Sequence, residues 1–131
     1  MNTTDHAAVT LRPLLHEIHH ALQRLAQVGE EHTIDLEALP FGPGDEALLL
    51  EFLGSGEVAA QLHALGESRV LESRFPGVWL VTHFSEEGVR LAQQLEITRT
   101  PALLRTPQEE LGVAVEQFAQ ALREQGGADD V

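Results

Sequence analysis

Two stretches of the chain carry the apolar spacing of an amphipathic helix. Near the start, leucine and isoleucine recur at intervals of three and four residues, at Leu11, Leu14, Leu15, Ile18, Leu22 and Leu25. This spacing places them on one face of a helix that we expect to run from an N-cap at about Thr10 to Val28. Near the end, Thr106-Pro107-Gln108-Glu109 has the composition of a helix start. The apolar stripe behind it consists of Leu111, Ala114, Val115, Phe118 and Leu122.

Between these helices the pattern changes to that of strands. The stretch Arg69–Phe84 contains the single tryptophan and is rich in β-branched and aromatic residues, so we expect it to form the centre of a sheet. Polar turns flank it at Gly66-Glu67 and at Ser85–Gly88, and they supply the chain reversals. Pro76-Gly77 is therefore predicted to be a bend or bulge within one long strand. Further strands are expected on either side, at 57–65 and 89–98, with a short one at 32–36.

These elements predict an α+β fold. Leu39–Gly44 is expected to be irregular, because two prolines and two glycines lie within six residues, and a short helix is expected from Asp45 to Leu53. The predicted architecture is an antiparallel meander sheet of 3–5 strands with an N-terminal and a C-terminal helix packed on it, a two-layer sandwich. We expect a single domain over 1–131, with flexible ends at 1–9 and 126–131.

Composition restricts the partners and the chemistry. Asp and Glu number 21 against eight basic residues, all arginine, for a net charge of −13, so nucleic acid and membrane surfaces are poor partners and basic protein segments are plausible ones. The absence of cysteine excludes disulfides and thiolate chemistry from this chain. The start lacks the pattern of a signal peptide, and no apolar run is long enough to span a bilayer, so a cytoplasmic protein is expected.

One motif matches a catalytic signature. His16-Glu17-Ile18-His19-His20 fits H-E-x-x-H, in which two histidines one helical turn apart bind zinc and the glutamate acts as a general base. On a helical wheel, however, His16 and His20 lie opposite the leucine stripe and face solvent. We therefore expect no catalytic, metal-binding or cofactor-binding residues, and a zinc-dependent hydrolase remains the alternative. His63 and His83 lie on predicted strands and are expected to be half-buried, possible cross-strand neighbours.

Four segments together resemble the HupH/HyaF family of hydrogenase expression/formation proteins, in their C-terminal conserved region. The segments are Leu39–Asp45, Leu53–Val58, Glu72–Trp79 and Leu95–Pro101. The resemblance implies a non-enzymatic, chaperone-like accessory protein in the maturation of nickel–iron hydrogenase. Its expected partner is a hydrogenase subunit, the iron–sulfur small subunit, or another maturation protein. Full members are about twice as long as this chain.

The resemblance also suggests where a partner binds. We expect the surface to comprise the exposed side of the sheet at its centre and the Leu39–Asp45 loop, with the residues Phe41, Pro43, Glu72, Phe75, Gly77 and Trp79. The competing interpretation is that Phe75 and Trp79 belong to the core. A third possibility is an acidic domain that self-associates into a homodimer through an unpaired sheet edge.

Overall fold

The computed structural model describes residues 3–126, with side chains from residue 11 onward. The chain divides into two compact units, Met1–Pro101 and Ala102–Val131. The larger unit contains two helices and five strands: α1 (Thr3–Val28), β1 (His32–Asp35), α2 (Asp45–Leu53), β2 (Ala59–His63), β3 (Glu67–Glu72), β4 (Val78–Phe84) and β5 (Arg90–Ile97). The expectation of a single domain stays a prediction, as does the flexibility of the two ends.

The five strands form one antiparallel sheet in the order β1-β5-β4-β3-β2. β4 occupies the middle, so the predicted centre of the sheet is confirmed. The prediction of one long strand is wrong, because β3 and β4 are two strands of a hairpin with Pro76-Gly77 in its turn. The Ser73 N–H donates to the Val78 carbonyl over 3.0 Å and closes the turn. The Ser73 hydroxyl also bonds the backbone of Phe75, a local interaction that favours a turn over a continuous strand.

Helix α1 covers one face of the sheet, as its leucine stripe predicts. Its buried residues Leu14, Ile18, Ala21 and Leu25 belong to one core cluster with Val78, Leu95 and Ile97 of the sheet. The predicted helix start at Thr10 is wrong, since α1 begins at Thr3 and Pro13 lies inside it. The segment before Thr10 lacks a leucine stripe but includes Ala7 and Ala8, and alanine is the strongest helix former.

The smaller unit consists of a 3₁₀ turn (Ala102–Leu104) and helix α3 (Gln108–Gly126). The predicted stripe is exposed along α3, from Leu122 at 42% to Phe118 at 69%. The α+β class, the five-stranded antiparallel sheet and the helices at both ends of the chain are therefore confirmed. Within residues 3–126, no helix combines the length and apolarity needed to cross a membrane.

Candidate partner-binding site

Segments that are distant in the sequence meet at one end of the sheet, around the β3–β4 turn. The Gly56 N–H donates to the Glu72 carbonyl over 2.7 Å. The Arg74 N–H donates to the Leu53 carbonyl over 2.8 Å, and the Thr98 N–H to that of Gly77 over 2.9 Å. We call this region, comprising residues 52–58, 72–79 and 97–101, the hairpin end. Three of the four segments that carry the family resemblance therefore form one connected structure.

Glu72 stabilises the backbone of the hairpin end. Its Oε1 atom accepts the N–H groups of Glu57, at 2.8 Å, and Val58, at 3.2 Å. Gly56 lies so close that a Cβ atom there would be 2.6 Å from this oxygen and 2.5 Å from the Ser73 carbonyl oxygen. Glycine at this position lets the two segments approach, and the carboxylate then satisfies two backbone donors.

Trp79 is a core residue. Only 7% of it is exposed, and its indole N–H donates to the Thr98 carbonyl over 3.1 Å. Gly77 adopts a φ of +97°, and a Cβ atom there would be 3.2 Å from a methyl group of Leu22. Trp79 and Gly77 therefore pack the turn against Thr98 and Leu22. For Trp79 this agrees with the competing interpretation, in which it belongs to the core.

Phe52, Arg74 and Phe75 form an aromatic cluster at the surface of the hairpin end. The two rings are stacked, with centroids 5.6 Å apart and planes inclined by 25°. The Arg74 Cζ atom lies 4.5 Å from the Phe75 centroid and 5.2 Å from that of Phe52. Phe52 is 42% exposed, whereas Phe75 is partly buried and packs against the core. Phe75 is among the residues predicted from the sequence, whereas Phe52 and Arg74 are not, although both adjoin or belong to the resemblance segments.

Two cavities flank the turn. One, of about 270 Å³, is lined almost entirely by apolar side chains of α1, α2 and the turn, including Leu15, Leu22, Phe52 and Phe75, with His19 as its polar member. The other, of about 380 Å³, is lined by Leu22, Leu25, Ala26, Glu72, Pro76, Gly77, Trp79 and Arg99. Concave apolar surface of this kind is typical of binding sites.

The hairpin end contains only part of the predicted surface. Glu72, Phe75, Gly77 and Trp79 lie there, but Phe41 and Pro43 do not. Phe41 packs against the core and Pro43 is exposed, both in the loop that precedes α2. The nine residues of α2 separate this loop from the hairpin end by about 13 Å, at a rise of about 1.5 Å per residue. The structure therefore divides the six residues between two ends of α2.

The H-E-x-x-H motif lies on the exposed side of α1. His16, Glu17 and His20 are all exposed, and the Glu17 carboxylate lies 2.9 Å from Nε2 of His32. Across the described part of the chain, no group of three or more His, Cys, Asp or Glu residues is arranged to hold a metal ion. Among the described residues, none joins His16 and His20 as the third protein ligand that a catalytic zinc site requires.

His63 and His83 are not neighbours, so that prediction is wrong. His63 lies on β2 opposite Glu67, and His83 lies on β4 opposite Ser68, so β3 runs between them. Nδ1 of His83 lies 2.8 Å from the Ser68 hydroxyl. The alternation of side chains along β3 also puts the two histidines on opposite faces of the sheet.

Several arginines of the larger unit pair with carboxylates. Arg24 bonds Glu30, and this hydrogen bond lowers the pKa of the Glu30 carboxyl group. The hydrogen bond from Arg69 likewise lowers the pKa of the Glu67 carboxyl group. Arg90 contacts Glu46 at 2.7 Å and Glu37 at 3.0 Å. Such exposed pairs contribute little to stability, but they show where the positive charge of this acidic chain is neutralised.

Comparison with known proteins identifies the family. The family model described as HupH hydrogenase expression protein, C-terminal conserved region, matches residues 8–124 of this chain. The hydrogenase expression/formation protein HoxQ of Azotobacter vinelandii is 32% identical over 108 residues, which are 81% of this chain and 38% of HoxQ. The corresponding protein HupH of Rhizobium leguminosarum bv. viciae is 26% identical over 79% of this chain and 36% of its own length.

A solved structure supports the same assignment. The hydrogenase expression protein HupH from Thiobacillus denitrificans ATCC 25259 superposes with a TM-score of 0.82 at 38% sequence identity, covering 86% of this chain and 93% of that one. This chain spans less than two fifths of the length of the curated relatives that it matches. With the family model matched over most of its length, the chain belongs to the HupH hydrogenase expression protein family, whose C-terminal conserved region it matches.

Proposed function

We propose that this chain is a non-enzymatic accessory protein in the maturation of nickel–iron hydrogenase, and that it binds the iron–sulfur small subunit during assembly. The match of residues 8–124 to the HupH C-terminal region carries the proposal. Relatives at 32% and 26% identity are named hydrogenase expression/formation proteins, which supports the same role. A cytoplasmic location stays a prediction.

The chemistry of the hairpin end supports a binding role over a catalytic one. The Oε1 atom of Glu72 accepts two backbone N–H groups, and the Trp79 indole donates to a backbone carbonyl. These polar groups stabilise the turn and are not directed at a substrate. The surface that remains is apolar and concave, which suits contact with a protein segment.

We assign the contact surface to Phe52, Arg74 and Phe75, with Gly77 shaping the turn beneath them. Glu72 and Trp79 act indirectly by holding the turn in place. Aromatic residues and arginine are enriched at the energetic centres of protein interfaces. Phe41 and Pro43, at the other end of α2, form a separate patch that a large client would contact at the same time.

Affinity capture tests both the partner and the surface. The tagged chain is mixed separately with the small and the large hydrogenase subunit, and Phe52→Ser is compared with Leu65→Ser. Leu65 is 87% exposed and lies in the β2–β3 turn, outside the hairpin end, so it controls for the loss of an exposed apolar side chain. We expect capture of the small subunit by the wild type and Leu65→Ser, and a clear loss with Phe52→Ser.

The other outcomes are equally informative. A wild-type chain that captures neither subunit refutes the proposed function. Capture of the large subunit alone refutes the choice of client. Normal capture by Phe52→Ser refutes the assignment of the surface to the hairpin end.

The free edge of β2 favours self-association as a second function. The Glu72 N–H donates to the Val58 carbonyl over 2.9 Å, which fixes the alternation of hydrogen bonds along β2. The backbone N–H and C=O groups of Ala59, Gln61 and His63 therefore point away from β3. This edge has neither lysine nor proline, the residues that commonly protect edge strands. We propose that a second copy of the chain pairs here to form a homodimer.

A further inference from the structure

We propose that Arg74 and the apolar cavity beside Phe75 together bind a client segment in which an apolar side chain lies next to the carboxylate of Asp or Glu. This inference rests on the proposed function, because it specifies the chemistry of the client at the hairpin end. The apolar side chain would enter the cavity, and the carboxylate would bind the guanidinium. One set of contacts holds the Arg74 guanidinium, and a separate set of side chains forms the cavity.

The guanidinium of Arg74 is held in a fixed position. Its Nε–H donates to the carbonyl of Phe52 over 2.8 Å, and its plane lies near the rings of Phe52 and Phe75. Its side chain also packs against Gly54, where a Cβ atom would be 3.3 Å from the Arg74 Cδ atom. A side chain restrained in this way has already lost much of the conformational entropy that binding would otherwise remove.

The same guanidinium is available to a carboxylate. Arg24, Arg69 and Arg90 each form an ion pair with glutamate, whereas Arg74 forms none with any residue between 11 and 126. Among the three guanidinium nitrogens, only Nε has a hydrogen bond in that part of the chain. The two terminal nitrogens form a planar fork that matches the two oxygens of a carboxylate.

The cavity has the dimensions of a side-chain pocket. Its volume of about 270 Å³ lies just below the range of about 300–1,000 Å³ that is typical of small-molecule sites. Phe52 and Phe75 line it and also contact Arg74. An apolar side chain in the cavity therefore brings the neighbouring residue of the ligand close to the guanidinium.

The net charge of −13 makes this recognition selective. The surrounding negative charge repels an acidic segment, and salt at physiological ionic strength screens only the part of this repulsion that acts beyond about 8 Å. An acidic segment without an apolar anchor gains too little at this site to overcome the surrounding negative surface. We therefore expect that both features of the ligand are required.

Peptide binding tests the inference directly. The small subunit is divided into overlapping 15-residue synthetic peptides with blocked termini, and binding to the full chain is measured by fluorescence anisotropy. The tightest peptide is compared with two variants, one with Asp or Glu changed to the amide and one with the apolar residue changed to serine. We expect each change to weaken binding about tenfold or more.

Variants of the chain locate the effect. Arg74→Gln should weaken binding of the acidic peptide about tenfold and should no longer distinguish it from the amide peptide. Arg123→Gln removes the same charge from α3 and should behave as the wild type. Leu15→Phe fills the cavity and should weaken both peptides equally. If Arg74→Gln does not fold, Arg74→Lys keeps the charge without the planar fork and should still discriminate less well than the wild type.

Three results would overturn the inference. The wild type could bind the acidic and amide peptides equally, or Arg74→Gln could keep the discrimination. Alternatively, no peptide could bind although the intact small subunit is captured. Each of these results leaves the proposed function intact, whereas failure of the wild type to capture the subunit removes the proposed function itself.

Discussion

The tryptophan of the central strand provides the sharpest test of the boundary between core and binding surface. With 7% of Trp79 exposed, replacement by alanine removes most of a large aromatic side chain from the core. Aromatic side chains bury about 150–250 Å², and at about 25 cal/mol per Å² this corresponds to about 4–6 kcal/mol. Measured losses for such truncations are about 3–5 kcal/mol. Because small domains are stable by only about 5–15 kcal/mol, the alanine variant should lose a large fraction of its stability, and its urea midpoint should fall accordingly.

Trp79→Phe separates the ring from its hydrogen bond. Phenylalanine retains most of the apolar area but leaves the Thr98 carbonyl without the indole N–H, which donates to it over 3.1 Å. Loss of one buried hydrogen bond costs about 0.5–1.5 kcal/mol, so the urea midpoint should fall while the cooperativity is retained. Far-UV circular dichroism is the suitable probe, since both variants lack the only tryptophan.

Client capture by the folded variants completes the test. Trp79→Phe should capture the small subunit as well as the wild type does, because Trp79 does not contact the subunit. A core role for Trp79 is refuted if Trp79→Ala remains fully folded, with a loss of less than about 1 kcal/mol, but no longer captures the subunit. That result would make Trp79 a surface residue.

Three further predictions concern the backbone, the ion pairs and the sheet edge. In chemical denaturation, Gly56→Ala should destabilise the fold by about 1–3 kcal/mol or more, because the new Cβ atom would lie 2.5 Å from the carbonyl oxygen of Ser73. Gly112→Ala is the matched control, since its Cβ atom meets nothing within 4 Å. This helical substitution should be neutral or stabilising by about 0.5–1 kcal/mol. Because the Arg24 hydrogen bond lowers the pKa of Glu30 below its ordinary value of 4.5, its stabilisation is complete above pH 4.5 and is lost as the pH falls through the lowered folded-state pKa. Urea midpoints across this range should therefore fall slightly less steeply for Arg24→Gln, and a steeper fall than in the wild type would contradict the pairing. Gln61→Pro removes an outward N–H from the β2 edge, so light scattering should show a monomer with near-normal stability; a persisting dimer would place the interface elsewhere.

The main elements of the fold could be predicted from apolar periodicity. The leucine stripe of α1 and the central position of Val78–Phe84 follow from spacing and residue type alone. The β3–β4 turn could not, because it depends on Ser73, whose N–H donates to the Val78 carbonyl and whose hydroxyl bonds the backbone of Phe75. A serine two residues before a Phe-Pro-Gly segment is a weak local signal, and the surrounding β-branched residues outweighed it.

The candidate site was predictable in location but not in composition. The resemblance pointed to Glu72–Trp79, and the structure places that segment at the centre of the hairpin end. The burial of Trp79 and the exposure of Phe52 depend on packing between distant segments, which spacing along the chain does not encode. Arg74 was missed because its stacking on two rings becomes visible only when α2 and the turn are brought together.

The strand order also has a consequence for the folding pathway. Strands β2 to β5 pair with their neighbours in sequence, so their contacts form through short loops. β1 instead pairs with β5, joining Asp35 to Gln94 across about 60 residues, and closing so long a loop costs more conformational entropy. The meander should therefore form in the folding transition state and β1 should dock late. Kinetic φ-values should accordingly be high in the β3–β4 hairpin and near zero at Ile34, so destabilising β1 would speed unfolding and leave the folding rate unchanged.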